Sequence, residues 1–582
     1  MGVFDNDCTL PALPIPPLDE TCALLRQATK PLLEPLAWER TCAAIDRFAA
    51  QAGPLQSLLL RHSDARPHNA SWLRPIWDDI YLTYRGPLPI HMNYGFAFVR
   101  DRWSDGLPSF IAAMCHIVAE IRNETLPPES TKGGYLSMDM LRSLIYTRIP
   151  CPVRDVWQHP PLSAPMAVAV VCRGHWFIMT VVNDKGELLA PAAIADALTT
   201  IGKRTQGMGE AAAIGSMTAA GRLEAASLRD TLLQNSLNRM NLESIENCVF
   251  VVCLDDAPAT EEFGRELLGG DSANRWFDKS LQILFEPGGR IGVNLEHSGC
   301  DASIWLHVFG HVDEVLCANK LPEGQGRAHV RLLEWSIDTR SAARLQSIRA
   351  DFARTMQTVT IRQRCIRSVT KEGIKAKNCS PDAFVQLLYQ AAYYKERQRF
   401  CSVYEAVSTR AFYQGRTECV RPVTEASAAF IRALYDGRDS PAELLHKFRL
   451  AEKAHTDGIS RGQKALGPER HMSGLNAMYA IYAGTADWAG LAKPDIFEDE
   501  GYLVLRHDML STSSAIIACI DYFGFGPVVA GGLGIGYGLK ADALHVMVSS
   551  YEKSDVTADI FLDAVEEAAE KLLQILGGAA AP

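Results

Sequence analysis

The chain has 582 residues, 47% of them hydrophobic and 22% charged, with a formal net charge of −10. That length is too great for one hydrophobic core, so two domains, or two bodies of about 250–300 residues each, are expected. The acidic balance excludes a general affinity for nucleic acid or an anionic membrane, and any anionic ligand has to meet a local basic cluster. Fifteen cysteines with no CxxC pair read as reduced, intracellular thiols, which points to the cytoplasm. The start, MGVFDNDC, has no signal-peptide apolar core. The longest uncharged window, Tyr522 to Leu539, holds seven glycines and a proline and makes a poor membrane helix.

In chain order, the proline-rich LPALPIPPL leads into residues 18–60, whose 3.6-residue apolar period predicts helices. MAVAVVCRGHWFIMTVV predicts a hairpin turning at Arg173-Gly174. VFVVCL (249–254) and LQILFEPGGRIGVNLEH (281–297) predict strands, the latter folded back at Gly288-Gly289. The later chain turns helical: Ser380-Pro381 supplies a cap and a first helical residue, and Ser440-Pro441 with Glu443 makes a capping box. Thr557 opens a last amphipathic helix. Strands interleaved with helices indicate α/β or α+β layers without fixing their topology.

His297 follows a strand and precedes an acid, Asp301, by four residues. Acyl transfer to an alcohol needs a base near neutral pH, which imidazole supplies, and a carboxylate orients or stabilises its charged form. With fifteen histidines, about one His-x-x-x-Asp arises by chance, so the spacing alone reads as a structural histidine. Cys300 beside it raises a thiol nucleophile as a rival. His307 and His311, four residues apart, lack a third ligand or an HExxH pattern and read as one helix face, so no metal site is expected.

The surrounding words carry more. Asn274-Arg275-Trp276-Phe277-Asp278-Lys279-Ser280-Leu281-Gln282, a glycine turn and then GVNLEHSGCD resemble the active-site segment of carnitine and choline acyltransferases. The likeness runs over nearly the whole chain. It implies an α/β fold of two similar domains of the carnitine acyltransferase and chloramphenicol acetyltransferase-like type, with an active-site tunnel at their interface. Residues 1–88 with 340–582 would form one domain, and 89–339, carrying His297, the other. The resemblance makes His297 the catalytic base and Asp301 the acid behind it. The family uses no covalent intermediate, which sets Cys300 aside.

Six cations, Arg362 to Lys377, crowd sixteen residues against one acid, Glu372. Alone they are a solvated face or an anion site. Lys371-Glu372-Gly373-Ile374-Lys375 followed by Ser380-Pro381-Asp382 resembles the family's coenzyme A site, where Lys371 and Lys375 would hold the 3′-phosphate and Asp382 lie near adenine and pantetheine. By the same resemblance Tyr404 and Thr417 reach the carboxylate of carnitine, and Arg470 supplies the opposing charge. A carnitine site needs such a cation and hydroxyl donors, whereas a choline site does not. Leu510-Ser511-Thr512-Ser513 matches the Ser-Thr-Ser word that lines the substrate, Ser513 facing the tetrahedral oxyanion. Phe525 matches the aromatic beside the trimethylammonium. Phe523 matches the gate of the acyl channel, where long-chain enzymes carry glycine, so a short, branched or unusually routed acyl group is expected.

Two departures, Ser514 where the family has Gln and an atypical 515–525 segment, suggest a second reading. Fungal highly reducing polyketide synthases sometimes end in a domain resembling carnitine acyltransferases, which moves a carrier-protein-bound chain to an alcohol or polyol. The linker-like GGAAAP end suits that reading, and the retained lysines count against it. Coenzyme A as co-substrate, with no permanently bound cofactor, is the expectation of the first. A catalytically dead binding module, the third reading, would have lost His297, Ser513 or Arg470, and all three are present.

Overall fold

The computed structural model describes residues 2–577 except 68, 104–105, 162–163, 257–262 and 486–492. The terminal GGAAAP therefore lies, beyond Gly577, outside the described residues. Helices Leu18–Thr29, Pro35–Gln51 and Gly53–Asp64 occupy the first stretch read as helical, two of them opened by proline in the first turn, where its missing N–H costs nothing.

Two large sheets follow. The first is built from Tyr94–Phe98 (β1), Ala167–Cys172 (β2), His175–Thr180 (β3), Val251–Leu254 (β4), Leu281–Phe285 (β5), Ile291–Leu295 (β6) and Val330–Leu332 (β7). The second holds Val359–Ile366 (β8), Val403–Ser408 (β9), Thr417–Val420 (β10), Leu510–Ser514 (β11), Leu533–Leu539 (β13) and Leu544–Tyr551 (β14). Between β11 and β13 the chain forms Ile520–Phe525 (β12), which pairs with β1 and completes the first sheet in the order β7-β3-β2-β4-β5-β6-β1-β12. The second runs β8-β14-β13-β11-β9-β10.

The local turns explain the strand pairings. Arg173 (φ 53°) and Gly174 (φ 73°) both take the left-handed conformation between β2 and β3, as a two-residue hairpin loop requires. Strands β2, β4 and β5 pair in parallel and are buried almost throughout, which is why VFVVCL reads as a continuous apolar run rather than an alternating one.

Helices Gly106–Arg122 and Ala302–Cys317 cover one face of the first sheet around Phe110, Trp305 and Phe309. Pro381–Arg397 and the final helix Ala558–Gly577 cover the second. The final helix buries Phe561, Leu562, Val565, Ala568, Ala569 and Leu572 at three- and four-residue spacing and turns its glutamates outward. Ser440 and Glu443 form the capping box read from the sequence. Among the described residues no helix is long and apolar enough to cross a membrane.

The pairing of β1 sets up the site. In register, Tyr94 lies opposite Leu295 on β6 and Phe525 on β12, and Phe96 lies opposite Phe523. The turn that follows β6 carries His297, so Tyr94, His297 and the two phenylalanines come from one end of three adjacent strands. In the second sheet β9 and β11 run parallel with Tyr404 beside Ser511.

Candidate active site

A cavity of about 390 Å³ lies between the strand ends. His297, Asp301, Tyr404, Thr417, Ser511, Ser513, Phe523 and Phe525 all line it, joined by Trp77, Tyr81 and Tyr94. Residues separated by more than two hundred positions thus share one wall. Arg470 stands outside it, in a small pocket that shares Thr417. Lys371, Lys375 and Asp382 do not line it. The two lysines are exposed on the short helix Lys371–Lys375, and Asp382 accepts a hydrogen bond from Tyr537 at 2.8 Å.

His297 is held by its own turn. Its Nδ1 lies 3.1 Å from the Cys300 carbonyl, and 3.9 Å from Asp301 Oδ1. The direct partner is therefore a backbone carbonyl, and the acid stands behind it. A carbonyl can only accept, so we assign the proton to Nδ1, which leaves Nε2 as the acceptor for a substrate hydroxyl. Tyr81 and Tyr94 pack edge-on against the ring with centroids 5.2 and 5.0 Å away, while 31% of the side chain stays open to the cavity. Burial holds the imidazole below its ordinary pKa, Asp301 opposing and Arg416 reinforcing the shift. At neutral pH it is the free base.

Asp301 is engaged by Arg416, which the sequence reading gave no role. Arg416 donates to both carboxylate oxygens, at 3.1 and 2.8 Å, and to the carbonyls of Ser298 and His297 at 2.7 and 3.1 Å. Its guanidinium also faces the rings of Trp77 and Tyr81. Burial would push the Asp301 carboxyl up, but Arg416 outweighs it and keeps the group ionised.

Behind the turn lies a second missed feature, a chain of buried charges. Glu296 accepts from Tyr146 OH and Ser298 Oγ, each at 2.5 Å, from Ser298 N–H at 3.0 Å and from Arg148 at 3.0 Å. Arg148 continues to Asp155, Asp155 to Arg222 and Arg222 to Asp278, at 2.7, 2.7 and 2.6 Å. Tyr146 OH also accepts the Gly299 N–H at 3.0 Å, and a Cβ at Gly299 would come within 2.5 Å of the Tyr146 ring. Only glycine fits there. The words NRWFDKSLQ and GVNLEHSGCD are thus adjacent in space: Asp278 ends the charge chain that Glu296 begins.

Cys300 is not a nucleophile here. Its thiol donates to the Met140 carbonyl at 3.1 Å, and burial pushes it up to about 12. His307 and His311 lie on one helix, His307 bonded to the Pro127 carbonyl and His311 to Glu314.

Outside the cavity, Arg470 gathers two of the predicted residues that line it. It donates to Tyr404 OH at 2.8 Å, to Thr417 Oγ1 at 3.3 Å and to the Thr417 carbonyl at 3.0 Å, with its guanidinium 4.2 Å from the Trp77 ring. Neighbouring Glu418 is pushed up to about 7 by burial, against the pull of Arg470.

Phe523, which lines the cavity, stacks on Phe96 at 5.0 Å. Among the described residues one group has the composition of a metal site: Asp382, Glu405 and His455, with ligand atoms within 4.8 Å of one another. His455 Nε2 is already 2.8 Å from Glu405, whose carboxyl burial pushes up to about 8. Asp382 is taken by the Tyr537 hydroxyl, and His455 Nδ1 has no hydrogen-bond partner among the described residues.

Three comparisons bear on this geometry. The sequence model of the family described as "Choline/Carnitine o-acyltransferase" matches residues 13–567. The chain is 29% identical to rat mitochondrial carnitine O-palmitoyltransferase 2, over 98% of this chain and 92% of that protein. It is 28% identical to mouse choline O-acetyltransferase, over 96% and 91%, and 28% identical to human carnitine O-acetyltransferase, over 93% and 89%. Among solved structures the condensation enzyme VibH matches 90% of this chain and 96% of its own at 8% identity and a TM-score of 0.35, a distance at which the likeness carries no argument.

Proposed function

The chain belongs to the choline/carnitine O-acyltransferase family, and from that premise we propose that it moves an acyl group between coenzyme A and carnitine in a direct, reversible ternary-complex reaction. It is an O-acyltransferase, as its relatives are by name. The choice of carnitine over choline is carried by one observation: Arg470, Tyr404 and Thr417 are hydrogen-bonded together on the alcohol side of the cavity. A carboxylate replaces those internal contacts with charge-assisted ones, and a quaternary ammonium without a carboxylate cannot. The relatives act on small alcohols by name and give the carrier-protein donor no support, so the donor proposed is coenzyme A.

In this scheme His297 Nε2 removes the proton of the acceptor hydroxyl, the alkoxide attacks the thioester carbonyl, and Ser513 stabilises the oxyanion. The imidazolium then returns the proton to the departing thiolate. Asp301 and Arg416 orient the base. Lys371, Lys375 and Asp382 would hold coenzyme A, Ser511 would contact the substrate, and Phe525 would face the trimethylammonium. We retain the division into 1–88 with 340–582 and 89–339, with β12 lent by the first unit to the sheet of the second and the cavity as the tunnel between them. The free state of all fifteen cysteines supports a reducing compartment, for which we propose the cytoplasm.

The test is the double variant Thr417→Val with Arg470→Asn. Losing charge-assisted bonds should raise the KM for carnitine at least about tenfold and leave the KM for choline where it was; an unchanged carnitine KM would remove the carboxylate from this wall. Phe523→Gly should let octanoyl- and palmitoyl-CoA compete with acetyl-CoA. An unaltered chain-length profile would place the gate elsewhere.

A further inference from the structure

Where β8 and β14 of the second sheet meet β12 of the first, outside the cavity that His297 lines, lies a nucleophile–base–acid arrangement. Cys365 on β8 and His545 on β14 stand directly opposite one another in register, so their side chains share a face. Cys365 Sγ is 3.8 Å from His545 Nε2, and on the other side of the ring Nδ1 is 3.1 Å from Asp521 Oδ1 on β12, an ion-pair contact for a protonated ring rather than a hydrogen bond. Among the described residues no other cysteine sulfur meets a histidine nitrogen. The order thiol, imidazole, carboxylate is that of a base-activated nucleophile, and loose spacing is usual before a substrate engages.

The corner is partly open and carries charges of both signs, Arg367 and Lys540 against Asp521 and Asp542. Cys365 is half-buried, whereas ten of the fifteen cysteines are buried. Lys540 Nζ lies 3.6 Å from Asp521, and the Lys540 carbonyl accepts the N–H of Lys371, which ties the corner to the exposed basic helix. Arg367 is exposed two residues beyond Cys365. Arg367 and the nearby basic helix offer cations to the phosphates of an anionic thioester. Burial holds the Cys365 thiol above its ordinary pKa, so it arrives protonated and needs a base.

We propose that Cys365, His545 and Asp521 form a second reactive site at which the thiol accepts an acyl group from an acyl thioester. His545 Nε2 takes the Sγ proton as Sγ bonds to the thioester carbonyl carbon. The bond from that carbon to the coenzyme A sulfur breaks, and the proton passes from the imidazolium to the departing thiolate. One thioester replaces another, with no oxidant or reductant. Asp521 stabilises the imidazolium. The identity of the donor rests on the function proposed above, but the activation of the thiol does not.

The experiment incubates the full chain with octanoyl-CoA and no alcohol and follows each cysteine by peptide mass spectrometry. A parallel sample receives iodoacetamide. Carnitine-dependent thiol release is assayed on the same preparation. Cys365 should be octanoylated and alkylated at least about tenfold faster than the exposed Cys8 and Cys317. His545→Gln should remove that advantage, Asp521→Asn should reduce it, and Cys365→Ser should leave transfer to carnitine at the wild-type rate. A preparation that transfers to carnitine yet leaves Cys365 unacylated, or acylates it no faster than Cys8 and Cys317, overturns the site without touching the function. So does an advantage that survives His545→Gln.

Discussion

Replacing His297 with alanine should lower the rate of transfer about 10²- to 10⁴-fold while coenzyme A still binds. The residue sits at the end of β6 with Nδ1 committed to the Cys300 carbonyl, so the free lone pair on Nε2 is the one basic atom this turn offers the cavity. The backbone turn is fixed by groups other than the imidazole: Glu296, Tyr146, Trp157 and Arg416 all bond to the backbone or side chains of 297–299. The variant should therefore fold, and calorimetric titration with coenzyme A should give an unchanged Kd. A variant that keeps more than about a tenth of the wild-type rate would take the base role from His297.

Arg416→Gln is the second large effect, and it acts in two ways. The Arg416–Asp301 pair is buried, with 2% and 6% of the side chains exposed. Removing one partner of such a pair typically costs about 3–5 kcal/mol, because the other charge stays buried without its counter-ion. The melting temperature should fall accordingly. The variant should also move the pH profile. In the native site burial and Arg416 hold the His297 pKa down, while Asp301 pulls it up. Without the cation, protonation becomes easier and the imidazole pKa rises. The free base is then lost at a higher pH, so the acid limb of the kcat/KM profile shifts upward from a native position below 6.5, the ordinary histidine value. A limb that stays in place or moves down would show that Arg416 has no electrostatic hold on the base.

Much of this arrangement was legible in the sequence where the signal is local. The Arg173-Gly174 hairpin, the Ser440–Glu443 capping box and the apolar face of the last helix are each set by residues within a few positions of one another. Tyr404, Thr417 and Arg470 were singled out through resemblance, and they meet in space. Arg416 was given no role. Its partner Asp301 lies 115 residues away, and a long-range ion pair leaves no periodicity or spacing to read. Glu296 was hidden in the same way, 148 residues from Arg148. Tyr81 and Tyr94 became the walls around His297 only through tertiary contact and the pairing of β1.

The departure of β12 from its neighbours has a similar cause. Nothing in IDYFGF says which sheet it joins. In the fold Phe523 and Phe525 alternate with Gly524, whose missing side chain makes room for Met547. That strand carries both the aromatic end wall of the cavity and, at Asp521, the carboxylate of the Cys365 corner.

The central claim is tested most directly by free-thiol release from acetyl-, butyryl- and octanoyl-CoA, offered in turn with carnitine, choline and glycerol, for the wild-type chain beside His297→Ala. The account predicts release that depends on carnitine, exceeds that with choline or glycerol for at least one of the three donors, and disappears in His297→Ala. Release that is indifferent to carnitine, or that survives in the variant, would contradict it.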